Sequence, residues 1–278
     1  MNRAARDLLR RVVPRPLRTF ARQPVASLTG FYHHAKFRVC GTSRVDMTPG
    51  WTVQTHPASA LAFHIHADDP AYRRELRAFL GLCTPGMRLI DVGASYGIFS
   101  LAALHAGGPG AHVIAVEPSP HAAHILHANL DANGVASRVR VVREALAAPH
   151  AQSIPVLTTG AGQAHMMIRG EEGRADTTAV AATTLDVLAA GAGCTHLKID
   201  VEGFEIEVLK GARGTLTRER PLVALELHCA LLRELGENPA DAVAILRECG
   251  YTIELDGAPA DDAAILGAHI ANLVCRPS

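Results

Sequence analysis

From residue 85 onward, short apolar runs rich in Val, Ile and Leu alternate with longer segments whose apolar positions recur at helical spacing. The runs predict strands at 88–93, 112–117, 139–144, 195–200, 222–228, 251–256 and 269–275, and the segments between them predict helices near 96–106, 119–133, 204–212 and 239–249. Strands that alternate with helices in this way build a mostly parallel α/β sheet. A longer insert, residues 145–194, separates the third and fourth strands. In it SIPVLTT and HMMIRG read as a small hairpin and TTLDVLAA as a helical turn. The last two strands, YTIELDG and HIANLVCRP, are joined by a segment too short and irregular for a crossover helix, so they are expected to pair antiparallel at the sheet edge.

Upstream the pattern is weaker. Ala5, Leu8, Leu9 and Val12 share one helical face, Arg3, Arg6 and Arg10 lie on others, and Pro14 ends the run. This is a short basic amphipathic helix, suited to an anionic membrane surface or an acidic partner, or else a solvated extension. Residues 23–60 show no period and are expected to be irregular with short strands. In ALAFHIHADD, Phe63 and Ile65 alternate with His64 and His66, which predicts an edge strand with both histidines on its exposed face. AYRRELRAFLGLCTPG predicts a helix that buries Tyr72, Leu76, Phe79 and Leu80, with Pro85 and Gly86 turning the chain into the next strand. The chain is thus expected to divide into a basic extension, residues 1–60, and one domain, residues 61–278.

Composition changes this picture little. An apolar content of 48% supports a sizeable core, and the zero net charge hides an asymmetry: ten of the 27 Lys and Arg, but one acid, Asp7, precede residue 45. The six cysteines are scattered without a CxxC pair, so neither a zinc site nor a disulfide framework is expected. No run of eighteen apolar residues and no secretory h-region is present, which places the protein in the cytoplasm as an expectation.

The candidate chemistry starts at LIDVGASYGIFS, residues 89–100, which reads as a strand, a glycine turn and a helix N-terminus facing a ligand. Gly93 and Gly97 stand four apart, the wrong spacing for a dinucleotide GxGxxG fingerprint, so a nicotinamide dehydrogenase is disfavoured. Asp91 suits an ammonium group, such as the methionine end of S-adenosylmethionine, better than a pyrophosphate. Glu117, at the tip of the next strand, can accept two ribose hydroxyls. The expected cofactor contacts are Asp91, Gly93, Ala94, Ser95, Tyr96, Gly97, Glu117 and Pro118, with Glu144 and Ala145 bordering the adenine.

A second stretch, HLKIDVEGFEIEVLKGA, brings Asp200 and Glu202 to the carboxyl end of the fourth strand, where open α/β sheets bind ligands. Glu202 and Glu205 could simply favour a helix N-terminus, which leaves Asp200 unexplained. Together, LIDVGASYGIFS, the acid of VIAVEPS, TTLDVL, LKIDVEGFEIEVLKG and LVALELH resemble the FkbM family of S-adenosylmethionine-dependent methyltransferases, over about residues 70–277. The resemblance implies a seven-strand Rossmann-like sheet whose last strand is antiparallel, and O-methylation of a sugar hydroxyl or a secondary metabolite. Asparagine is frequent in that family where Ser95 stands.

Methyl transfer to an alcohol needs a base within hydrogen-bond reach of the hydroxyl. His228, beside Glu226 at the tip of the fifth strand, is the leading candidate, with Asp200 and Glu202 orienting the acceptor. The group Asp200, Glu202, Glu226 and His228 could instead gather a divalent cation, although no metal ligand is assigned. The expected partner is a small-molecule or glycan acceptor and not a nucleic acid. The alternative is an inactive methyltransferase-like domain that binds a partner through its basic arm.

Overall fold

The computed structural model describes residues 41–157 and 177–278. A hairpin of β1 (Ser43–Thr48) and β2 (Trp51–Thr55) leads into helices α1 (Ala60–Asp68) and α2 (Pro70–Leu82). The alternation then runs through β3 (Arg88–Val92), α3 (Ile98–Ala106), β4 (His112–Val116), α4 (Pro120–Ala132) and β5 (Val139–Val142). The insert holds β6 (Ala145–Leu146), β7 (Ser153–Leu157), β8 (Thr177–Thr183) and α5 (Leu185–Ala189). After it come β9 (His196–Ile199), α6 (Glu205–Lys210), α7 (Arg213–Arg218), β10 (Leu222–Leu227), α8 (Cys229–Glu234) and α9 (Ala240–Glu248). The chain closes with β11 (Tyr251–Leu255), β12 (Ala258–Pro259), α10 (Asp262–Gly267) and β13 (Ala271–Pro277).

The main sheet has the order β5-β4-β3-β9-β10-β13-β11-β12. Strands β5 through β10 pair parallel, and β13 is antiparallel to both β10 and β11. The expected seven strands are therefore present, with the last one antiparallel, and two-residue β12 adds a short eighth at the edge. The final strand inserts between β10 and β11 rather than lying outside them. Apolar residues cover both faces. Ile90, Val92, Leu197, Ile199, Val223 and Leu225 point into one core, which α6 and α9 complete. Leu89, Val113 and Ala115 point into the other, with α1 to α4 above them. Such two-sided burial is what makes these strands near-continuous apolar runs in sequence.

Residues 60–68 correct one expectation: they form α1, not an edge strand. The residues that go inside are Phe63 and Ala67, four apart as on a helix face, whereas Ile65, the partner of Phe63 in the strand reading, is 38% exposed. Ahead of the expected domain start at residue 61, the β1–β2 hairpin buries Val45, Met47, Trp51 and Val53 in the same core as α3 and α4. Asn129 of α4 and Asn133 at its C-cap fasten it. Asn133 Nδ2 donates to the Gln54 carbonyl at 2.6 Å, and Asn129 Oδ1 accepts the His56 N–H at 2.6 Å.

In the insert, β7 is the strand expected at SIPVLTT, and it pairs antiparallel with β8. HMMIRG, expected as its partner, lies outside the described residues, as does the amphipathic helix expected at the N-terminus. The helical turn expected at TTLDVL is α5, and Asp186 in it has a structural task. Its carboxylate accepts the backbone N–H groups of Gly214 and Thr215 at the start of α7. The five cysteines among the described residues are free, and no described helix is long and apolar enough to cross a membrane.

Candidate active site

A cavity of about 530 Å³ opens over the carboxyl ends of β3, β4, β9 and β10. It has two halves. One is built by the turn after β3. Gly93 and Ala94 both donate to the Val116 carbonyl at 3.0 Å, which folds the turn tightly over β4. At Gly93 the backbone has φ +86°, and a Cβ there would sit 1.8 Å from the Asp200 carbonyl oxygen. Glycine is thus required twice, for the angle and for the approach of β9. Ser95 follows at φ 49°, also left-handed, and its N–H donates to Glu117 Oε2 at 2.9 Å. Glu117 Oε1 accepts the Ser119 N–H at 2.8 Å. Each carboxylate oxygen has a second lone pair, so Glu117 keeps acceptor capacity for further hydroxyls. Burial pushes its carboxyl up to about 7, against the two backbone N–H groups that favour the ionised form.

Gly93, Ala94, Ser95, Tyr96, Glu117, Pro118 and Ala145 line this half, as the sequence reading placed them. Three expected residues stand differently. Asp91 is buried beneath the floor, where its Oδ2 accepts the Ser100 hydroxyl at 2.6 Å, and burial raises its carboxyl. Gly97 caps α3 at φ 91° with Leu126 against it. Glu144 is exposed and outside the lining, because it stands at the bend between β5 and β6, after which buried Ala145 turns inward.

The other half is acidic. Asp200, Glu202, Glu226 and His228 all line it, together with Glu75 from α2. The structure therefore brings together every residue that the sequence reading assigned to the chemistry. Lys198 lies beneath them, on the face opposite Leu197 and Ile199, in register with Asp91. Its side chain is 5% exposed, with Nζ 3.0 Å from Asp200 Oδ2 and 4.0 Å from the centroid of the Phe99 ring. Burial alone would raise the Asp200 carboxyl, but the Lys198 ammonium outweighs it and holds Asp200 below the usual carboxylate range. Burial, then repulsion by Asp200 and Glu75, pushes Glu226 up to about 8. His228 Nδ1 is 2.8 Å from Glu205 Oε1, and its Nε2 is 3.9 Å from Glu226 Oε1. Burial disfavours the imidazolium, but the bond to Glu205 and the surrounding carboxylates more than compensate and raise His228 to about 9.

Among the described residues, Asp200, Glu226 and His228 form the one group whose ligand atoms lie within 4.8 Å of one another. The cation that the fold itself places there is Lys198. Ile65, His66, Tyr72, Ile98 and Phe99 also line the cavity. The His66 ring lies 5.0 Å from Tyr72 and 5.8 Å from Phe99, and its Nδ1 bonds the Ala62 carbonyl at 2.9 Å. Sequence reasoning missed this part of the lining because it assigned His64 and His66 to an exposed strand. It also passed over Glu75, Lys198 and Glu205. A buried-strand lysine in a chain with three lysines is the signal that could have found Lys198.

The family described as the methyltransferase FkbM domain matches residues 91–253. A ribosomal protein L11 methyltransferase from Symbiobacterium thermophilum is 36% identical over 108 residues, 35% of this chain and 34% of that protein. The chain thus spans about a third of the length of that relative. Among solved structures, a methyltransferase FkbM from Methylobacillus flagellatus is similar with a TM-score of 0.48 and 17% identity, over 79% of this chain and 54% of the other. An S-adenosylmethionine-dependent O-methyltransferase from Thermotoga maritima is similar with a TM-score of 0.45 and 13% identity, over 79% and 71%.

Proposed function

The chain belongs to the FkbM methyltransferase family, and we propose that it is an S-adenosylmethionine-dependent O-methyltransferase acting on a hydroxyl of a sugar or secondary metabolite. The observation that carries this reading is one cavity in which a glycine turn and a ribose-type acid adjoin a cluster of ionisable groups around His228. The residues present fit the methyl donor. Glu117 has lone pairs left for two ribose hydroxyls, and the Cβ-free turn at Gly93 leaves the backbone open to close approach. Asp200 and Glu202, with Asp91 under the floor, give the donor end a negative field that suits a sulfonium and an ammonium. When bound, S-adenosylmethionine supplies an electrophilic methyl group.

The chain's own residues do the rest. In this reading the acceptor hydroxyl sits beside the acids in the cavity that His66, Tyr72 and Phe99 also line, and Asp200 and Glu202 orient it through hydrogen bonds. His228 takes its proton at Nε2, the ring nitrogen left over while Nδ1 is engaged, and because the ring stays protonated up to about pH 9, turnover is expected to rise with pH toward that value. Lys198 keeps Asp200 ionised, so that Asp200 acts as acceptor and not as proton donor. The acidic lining favours neutral or cationic acceptors over anionic ones. Calorimetry with S-adenosylhomocysteine tests the cofactor half, and binding in the micromolar range is expected, with no binding of NAD. Screening polyhydroxylated acceptors with methyl-labelled donor tests the other half. His228→Ala is expected to lower turnover on the order of 10²-fold or more with homocysteine-product affinity unchanged. Full activity in that variant removes His228 as the base, and activity lost in EDTA but restored by magnesium replaces it with a cation.

A further inference from the structure

We propose that Glu205 is a positioning residue for His228, fixing the imidazole as its Nδ1–H tautomer so that Nε2 is the atom offered to the acceptor. This rests on the reading of His228 as the base. Glu205 stands in the first turn of α6, where an acid ordinarily serves the helix dipole from the surface. Here it does something else. Its side chain is 0% exposed, and Oε1 lies 2.8 Å from His228 Nδ1 and accepts the Gly203 N–H at 2.9 Å; an ionised carboxylate can only accept, so the contact favours a proton on Nδ1. A charge taken out of water this completely is costly unless a partner compensates it.

The backbone is bent to bring Glu205 there. Glu202 at φ 47° and Gly203 at φ 91° are consecutive left-handed residues, and a Cβ on Gly203 would sit 2.8 Å from Leu235. This turn aims the Gly203 N–H back at the carboxylate and closes the dyad from below. Glu205 Oε2 has no hydrogen-bond partner among the described residues. A buried carboxylate with one oxygen unpartnered is best compensated when the imidazole beside it carries positive charge, which is the ring's resting state below about pH 9 and the state to which the neutral base returns on taking a proton from an alcohol. The dyad thus favours the protonated product of the base step. The other charged groups facing His228 are Asp200, Glu202, Glu226 and, from α2, Glu75, with Lys198 behind Asp200. All of these stay in place when Glu205 alone is changed.

The test is nitrogen NMR on full-length protein labelled with ¹⁵N-histidine, the His228 signals being assigned by their absence in His228→Gln. Above about pH 9, where the ring is neutral, the native protein is expected to show the Nδ1–H tautomer. Glu205→Gln keeps the shape and one acceptor but removes the charge, and it is expected to lower the His228 pKa by about one unit or more. Glu205→Ala is expected to abolish the tautomer preference as well. An Nε2–H tautomer in the native protein, or a His228 titration unchanged in Glu205→Gln, overturns the proposal. S-adenosylhomocysteine calorimetry on each variant shows that the cofactor half is intact. If the native protein itself fails to bind it, the functional reading falls, while the tautomer and the pKa still decide the dyad.

Discussion

Lys198 places its ammonium 3.0 Å from Asp200 Oδ2 and 4.0 Å over the Phe99 ring, so the buried cation beneath the acidic half of the cavity is held by a carboxylate and an aromatic face. Asp91, Glu75 and Glu226 also lie within its electrostatic reach. Replacing one partner of such a buried arrangement leaves the others uncompensated, which typically costs about 3–5 kcal/mol. Lys198→Met is therefore expected to lower stability by that order, and also to raise the Asp200 carboxyl. Urea unfolding measures the first effect. A midpoint within error of the native one would show that the carboxylates do not depend on this ammonium.

Cofactor affinity is expected to depend on pH through Glu117. Its carboxyl is raised to about 7, and only the ionised form offers both oxygens to ribose hydroxyls. Binding therefore favours the deprotonated state. Affinity for S-adenosylhomocysteine is expected to be constant above about pH 8 and to fall below 7, by up to about tenfold for each further unit. Calorimetry from pH 5.5 to 8.5 checks this, and Glu117→Gln is expected to bind weakly with the pH dependence removed. A native profile that is flat, or that rises toward acid, contradicts the assignment of Glu117 to the ribose.

The parts of this site that the sequence displayed are those in which backbone geometry constrains residue type. Gly93 cannot carry a Cβ beside the Asp200 carbonyl, and acids at strand tips need a reason to be there, so the turn, Glu117, Asp200 and Glu202 stood out. The antiparallel final pair was equally visible, although the linker ahead of β13, expected to be irregular, holds the six-residue helix α10, too short to carry the chain across the sheet for a parallel return. What stayed hidden depends on which face of an element is buried. The nine residues of α1 alternate around Phe63 and Ile65 and carry almost no apolar stripe at helical spacing, so the strand reading prevailed and put His66 in solvent instead of beside Tyr72 and Phe99. Lys198 and Glu205 read as an ordinary strand residue and an ordinary helix-start acid, because their partners, Asp200 and His228, come from other positions in the turn and from β10.

Ser95 offers a direct check on the turn. Its φ of 49° is left-handed, a conformation that costs a typical residue about 1–2 kcal/mol and that asparagine tolerates better through local hydrogen bonds. Ser95→Asn is expected to raise stability by about 0.5–1 kcal/mol and to leave cofactor affinity unchanged, because the N–H that reaches Glu117 belongs to the backbone. Ser95→Val is expected to lower stability by about 1–2 kcal/mol, since a branched Cβ resists positive φ. Thermal unfolding of the two variants measures the difference. The opposite ranking would mean that the Ser95 side chain itself, and not the backbone angle, sets the preference.

The division of the chain is open to a similar experiment. The basic segment before about residue 22 has a charge pattern and a proline break that suggest little packing, so its deletion is expected to leave the melting temperature and cofactor affinity nearly unchanged. Deletion to residue 60 is a different matter. It removes Trp51, which is 7% exposed and stacks on His105 at 4.9 Å, along with buried Val45, Met47 and Val53. It also strips the Thr55 hydroxyl and the His56 N–H from buried Asn129, whose Nδ2 holds the Tyr96 carbonyl of the turn after β3 at 2.8 Å. The longer deletion is therefore expected to unfold the domain or to weaken S-adenosylhomocysteine binding sharply. The single change Trp51→Ala is expected to cost about 3–5 kcal/mol. If the chain from residue 61 melted like the full-length protein, the hairpin would be an accessory and the boundary would lie at residue 60. If it did not, the domain begins at the hairpin, and Asn129 is the link through which that boundary reaches the turn after β3.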